Sequence, residues 1–143
     1  MGTRADFFVG IGPAAEWIGS VAYDGGWRDA GAGPLSATTE AEFRAAVEHL
    51  LLTWSRPVTR PEEGWPWPWE DFRATDYAYA WDPARGAVAS RSGRAWVTSQ
   101  QLKENSDCIY ESARLRDDEV PDMSKGKKAD VLAKSGLMLL KVP

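Results

Sequence analysis

Cysteine and histidine are almost missing from this sequence: Cys108 and His49 stand alone among 143 residues. A single cysteine excludes an internal disulfide, and with one histidine beside it a zinc site of ordinary ligand composition cannot be assembled within one chain. A Cys–His nucleophilic pair needs the two side chains in one place. His49 falls off the apolar stripe of its helix and Cys108 sits in a polar stretch, so no such pair is expected. Long apolar runs are missing as well. The longest aliphatic one, residues 137–140, is far short of the roughly 20 residues that span a bilayer. Arg4 and Asp6 ahead of a short apolar stretch do not suit a secretory signal, and Asp6 stands where myristoylation after Gly2 wants Ser or Thr. No membrane association is expected, and a cytoplasmic location is the economical reading.

Lysine is missing from residues 1–102, which carry nine Arg and 13 acids; all six Lys fall in residues 103–143. The net charge of −4 argues against direct nucleic-acid binding, which calls for a basic patch. The Lys125–Lys128 cluster is too small to reverse that and reads as solvated surface. Phosphate loops are also absent. Gly10-Ile11-Gly12-Pro13 lacks the third glycine of a dinucleotide turn, and Gly31-Ala32-Gly33-Pro34 lacks the Lys-Ser/Thr ending of a phosphate loop. What the sequence has in excess is tryptophan, eight residues between Trp17 and Trp96.

The body of the chain reads as short strands and one helix. In Asp6–Ile11, Phe7, Val9 and Ile11 alternate to one side, and Glu16–Tyr23 places Trp17, Gly19, Val21 and Tyr23 on one face; together they predict an antiparallel hairpin. Between about Thr39 and Trp54, the residues Phe43, Ala46, Val47, Leu50, Leu51 and Trp54 form one apolar stripe at helical spacing. Thr39 with Glu42 fits a capping box, and Pro57 ends the helix. Tyr77, Tyr79 and Trp81 alternate with Ala78 and Ala80, which predicts a strand closely covered on its alanine side. Turns at residues 82–86 and 92–94 then separate strands at 87–91 and 95–99 into a meander. Residues 103–130 read as a long polar loop with one helical turn near Cys108–Leu115, and residues 137–142 as a returning strand. The expected fold is α+β: an antiparallel sheet of five or six strands with the Thr39–Trp54 helix on one face. A body over residues 1–100 and a polar tail over 101–143 make one domain.

The most distinctive motif is Trp65-Pro66-Trp67-Pro68-Trp69-Glu70-Asp71. Alternating prolines remove backbone donors and favour extended or polyproline backbone. A flat strand puts the three indoles on one face; a polyproline helix fans them out. Such a segment either lies over the sheet as a lid or serves as an aromatic anchor for a partner. The acids Glu62, Glu63, Glu70, Asp71, Asp76 and Asp82 flank it. Two of them across a cleft suit a glycosidase, but beside Arg56, Arg60, Arg73 and Arg85 they read more simply as paired surface charge.

The opening Gly2-Thr3-Arg4-Ala5-Asp6-Phe7, the Ala15–Ser20 return, the Trp65–Asp71 segment, Thr75–Tyr79, Pro121-Asp122-Met123 and Ser135-Gly136-Leu137 resemble a family of small, functionally uncharacterised bacterial proteins. Some of these travel with phages and other mobile elements. The resemblance covers most of residues 1–97 and thins beyond. It implies an accessory protein that engages host or phage machinery, and it carries no catalytic residue over.

These readings converge on a non-enzymatic protein-binding module without cofactor or metal, with a phage-encoded inhibitor that occludes a host defence complex as one concrete form. The expected contact surface is Trp65, Trp67, Trp69, Glu70, Asp71 and Arg73. The alternatives are a small-ligand or carbohydrate binder, or weak hydrolase, using the Trp platforms with Glu70, Asp71 or Asp76, and a structural homo-oligomer. If the rail is a surface feature, Trp67→Ala weakens partner binding while the thermal midpoint stays nearly unchanged.

Overall fold

The computed structural model describes residues 2–123. Six strands form one sheet: β1 (Ala5–Val9), β2 (Glu16–Val21), β3 (Val58–Thr59), β4 (Tyr77–Asp82), β5 (Gly86–Arg91) and β6 (Val97–Thr98), in the spatial order β3-β2-β1-β4-β5-β6. Four helices accompany them: α1 (Ala32–Leu35), α2 (Glu40–Thr53), α3 (Ser99–Glu104) and α4 (Cys108–Glu111). The α+β class, the hairpin and the meander agree with the sequence reading. One pairing does not follow from it. β1 and β4 lie side by side in parallel, Ala5 opposite Tyr77, so the sheet is mixed although mostly antiparallel.

Helix α2 forms for the reasons its sequence suggests. Thr39 accepts the Glu42 amide at 3.1 Å, while the Glu42 carboxylate turns to the amide and hydroxyl of Thr38 rather than to Thr39. Phe43, Val47, Leu50 and Leu51 are buried against the sheet with Phe7, Val21 and Tyr79. Gly19 permits this approach, because a β-carbon there meets Leu51 Cδ1 at 2.7 Å.

The opposite face of the sheet is buried as well. Phe8, Ala78, Ala80 and Val88 pack there against Phe72, Trp96, Leu115, Val120 and Met123. The close covering expected on the alanine side of β4 is therefore present, supplied by irregular chain rather than a helix. A bulge in β2 decides which tryptophan goes where. Phe7 pairs with Gly19 but Phe8 pairs with Trp17, leaving Ile18 as the extra residue. One inserted residue turns the alternation over. Trp17 thus joins the second core, although the simple period-2 reading put it beside Val21. Ile11 also packs with the second core, since β1 ends at Val9 and Gly10 turns the chain at φ +96°.

The expectation of a polar tail from residue 101 is corrected. Leu102 and Ile109 enter the helix-side core, and Leu115, Val120 and Met123 close the second. α3 replaces the end of the last expected strand because Thr98 and Gln101 make a full capping box: each side chain accepts from the other's amide, at 2.7 and 3.1 Å. The returning strand expected at 137–142 lies outside the described residues.

Adjacent residues on β1 test the two-sided packing. Phe7→Ala and Phe8→Ala are each expected to lower the unfolding free energy by about 3–5 kcal/mol in urea titrations. A loss below about 1 kcal/mol for Phe8→Ala contradicts a true second core.

Candidate functional site

Residues 64–75 run across the second face of the sheet, and the three tryptophans of the motif take different positions. Trp65 turns inward and meets Trp17 edge to face at 5.4 Å. Trp67 and Trp69 stack at 5.4 Å with 18° between their planes, and the Arg4 guanidinium lies 5.6 and 5.8 Å from the two ring centres. The segment is therefore neither a flat strand with a shared aromatic face nor a three-fold fan. With two prolines in place of backbone donors, the indole N–H groups take over the anchoring. Trp65 donates to the Trp69 carbonyl at 2.8 Å, Trp67 to Asp6 Oδ1 at 2.6 Å and Trp69 to Thr75 Oγ1 at 2.8 Å. All three rings remain half-buried, while Pro68 and Glu70 are exposed.

The charged members of the expected surface follow directly. Asp71 caps the 3₁₀ turn Phe72–Ala74 by accepting the Arg73 amide, and it also holds the Arg73 side chain through Nε and Nη2 at 3.1 and 2.8 Å. Arg73 Nη1 reaches Asp117 at 2.7 Å, and these carboxylates keep the guanidinium firmly protonated. Glu70, Asp71, Asp117 and Asp122 thereby gather around Arg73 at a hollow of about 340 Å³. The rest of the acidic series does not converge there. Glu62 and Glu63 belong to the 3₁₀ turn Pro61–Glu63; Asp76 accepts the Arg4 amide, and Asp82 holds the β4–β5 turn through Ala84 and Arg85. Among the described residues no group of three His, Cys, Asp or Glu side chains could hold a metal ion, and no helix is long and apolar enough to cross a membrane.

Asp6 is the residue that sequence reasoning missed. It is fully buried on the central strand β1, and its Oδ1 accepts from both Ser20 Oγ and Trp67 Nε1. Ser20 in turn accepts from Trp17 Nε1 at 3.0 Å, so one carboxylate oxygen gathers strands β1 and β2 and the Trp segment. Loss of water raises the Asp6 pKa to about 7, against the opposing pull of Ser20, Thr75 and Trp67. Among the described residues Oδ2 itself has no hydrogen-bond partner of normal geometry. A signal for this burial was present: Phe8, large and apolar, shares the Asp6 phase of the strand, and two such phases both filled mean a sheet covered on both sides.

The Trp67 bond to Asp6 argues against the expectation that Trp67→Ala is thermally neutral. Removing the indole leaves a buried carboxyl short of a donor, the kind of change that destabilises rather than merely exposes. No protein-family model, curated protein or solved structure matches the chain.

Two measurements check this account. Trp67→Phe, which keeps a ring but deletes the N–H, is expected to cost about 1.5–3 kcal/mol in urea unfolding. The folded protein also holds the Asp6 proton more tightly than the unfolded chain. The stabilisation this gives is fully present below about pH 4, declines as pH rises and is lost by about pH 7. The total loss is on the order of 4 kcal/mol. Asp6→Asn is expected to flatten that slope; an unchanged slope assigns it to other groups.

Proposed function

We propose that the chain is a non-enzymatic binding module for another protein, acting by occlusion, with the Trp67–Trp69 stack as its anchor and the acidic hollow beside it as its steering surface. The observation that carries this reading is the state of the two indoles. They are partly exposed, yet their polar N–H groups are bound inside the fold. What they offer outward is apolar ring and the exposed Pro68, held in place before any partner arrives. A fixed aromatic anchor forfeits little conformational freedom on binding, and tryptophan is the residue most enriched at energetic centres of interfaces. Directly after the stack come Glu70 and Asp71, and with Asp117 and Asp122 they outnumber Arg73 in charge. This supports a partner surface that is basic around an apolar groove, since such complementarity raises the encounter rate.

The resemblance to phage-associated proteins supports a more specific form: a mobile-element accessory protein in the cytoplasm that covers a working surface of a host defence complex. The carbohydrate reading has less support, because Asp71 and Asp76 are tied into local structure and the stacked faces of Trp67 and Trp69 cover each other.

Variants at exposed positions test the proposal without touching Asp6. Glu70→Lys and Pro68→Arg are each expected to abolish capture of one specific protein from host cytoplasm at an unchanged thermal midpoint. The purified pair is expected to reproduce the loss as an affinity drop of about tenfold or more. Undiminished binding by both variants moves the surface elsewhere. Saturable glycan binding by the native chain favours the carbohydrate reading instead.

A further inference from the structure

Trp27 has no part in the surface just described. It stands on the helix side of the sheet, in the loop between β2 and α1, partly buried against the first core. It lines a hollow of about 290 Å³ between α1 and α3, shared with Ala32, Leu35 and Leu102, with Ser36 and Ser99, and with Arg28 and Lys103. We propose that this cavity is a binding site for a small apolar carboxylate, alkyl or aryl, whose body lies between Leu35, Leu102 and the Trp27 ring and whose charge meets Arg28 and Lys103.

Three observations carry the proposal. Charge is the first. Both charged residues lining the cavity are basic, and neither has a carboxylate partner among the described residues. The Arg28 guanidinium lies 4.7 Å from the Trp27 ring centre, an arrangement that orders the group and leaves its N–H edge open to fork a carboxylate. The second is the neighbouring space. Trp27 and Arg28 also line a second hollow of about 480 Å³, together with Asp29, Asp107, Tyr77 and Tyr110. Its acids repel an anion, so of the two hollows that share Trp27 and Arg28 the one without acids is the one suited to a carboxylate. The third is rigidity. The wall that carries Trp27 is fastened before any ligand arrives: Tyr79 donates to the Gly25 carbonyl at 2.6 Å, and the Gly31 amide closes onto Gly26 at 3.2 Å. Gly31 itself leaves no room for a side chain, since a β-carbon there meets Tyr79 Cε1 at 2.6 Å. A volume just below the usual range for ligand cavities, roughly 300–1,000 Å³, limits the occupant to a small molecule. The site is independent of the Trp67–Trp69 surface.

Titration of the ¹⁵N-labelled full chain with sodium octanoate, octanol and octylammonium tests the site through the indole N–H resonance of Trp27, assigned with Trp27→Phe. Octanoate is expected to shift that resonance saturably, octanol to bind at least about tenfold more weakly and octylammonium not to bind. Arg28→Gln and Lys103→Gln, both at exposed positions, are each expected to weaken octanoate about tenfold at an unchanged thermal midpoint. The proposal is overturned by equal affinity for octanol or octylammonium, by octanoate binding that ignores both substitutions, or by no shift at millimolar octanoate.

Discussion

The Trp67 indole donates to a carboxylate that water cannot reach, and that bond fixes how the irregular half of the molecule sits on the sheet. The segment from Trp65 to Trp69 has two prolines among five residues and so offers few backbone donors of its own. Asp6 compensates by presenting one oxygen to Ser20 on the neighbouring strand and to Trp67 on the segment above. Burial opposes its charge while the surrounding donors favour it, and the outcome is a carboxyl that titrates near neutrality. Aromatic stacking, the Arg4 contact and the Asp71–Arg73–Asp117 clasp then extend outward from this attachment.

Covering both faces of a six-stranded sheet asks different things of the two layers. On one side α2 brings an ordinary apolar stripe, and its fit depends on Gly19 lacking a side chain. On the other, large rings from scattered segments do the work: Phe72 packs 5.1 Å from Trp96 and 5.4 Å from Phe8. Irregular backbone over a sheet leaves polar groups to be paired one by one, and this layer pairs Trp17 with Ser20, Ser20 and Trp67 with Asp6, and Trp69 with Thr75.

Local patterns were legible in the sequence and long-range ones were not. The apolar stripe of α2, its Thr39 cap and the alternation at Tyr77–Trp81 each follow from residues close in the chain and are present in the structure, although Glu42 turns to Thr38 and Trp54 lies just past the helix end. The parallel β1–β4 pairing joins residues far apart, and no local pattern announces it. The β2 bulge escaped because one extra residue at Ile18 inverts a strict alternation. The stretch 101–143 reads as a polar tail because the side chains that its described part buries, Leu102, Ile109, Leu115, Val120 and Met123, are single and widely spaced. Of the candidate surface, the Trp segment and Arg73 with its acids were visible as composition. Asp6 was not, since a lone acid in a strand reads as solvent-facing until the second face is known to be covered.

The parallel pairing of β1 with β4 also bears on how the chain reaches this state. Arg4 and Asp76, hydrogen-bonded at the start of that pair, are separated by 72 positions. Bringing such distant segments together costs loop entropy before any contact between them offsets it, and topologies of this kind fold slowly. The β1–β2 hairpin, helix α2 and the β4–β5 hairpin can each form from nearby residues. The centre of the sheet is therefore expected to close late, and with it the cover over Asp6, which leaves this carboxylate in water with its ordinary charge until then.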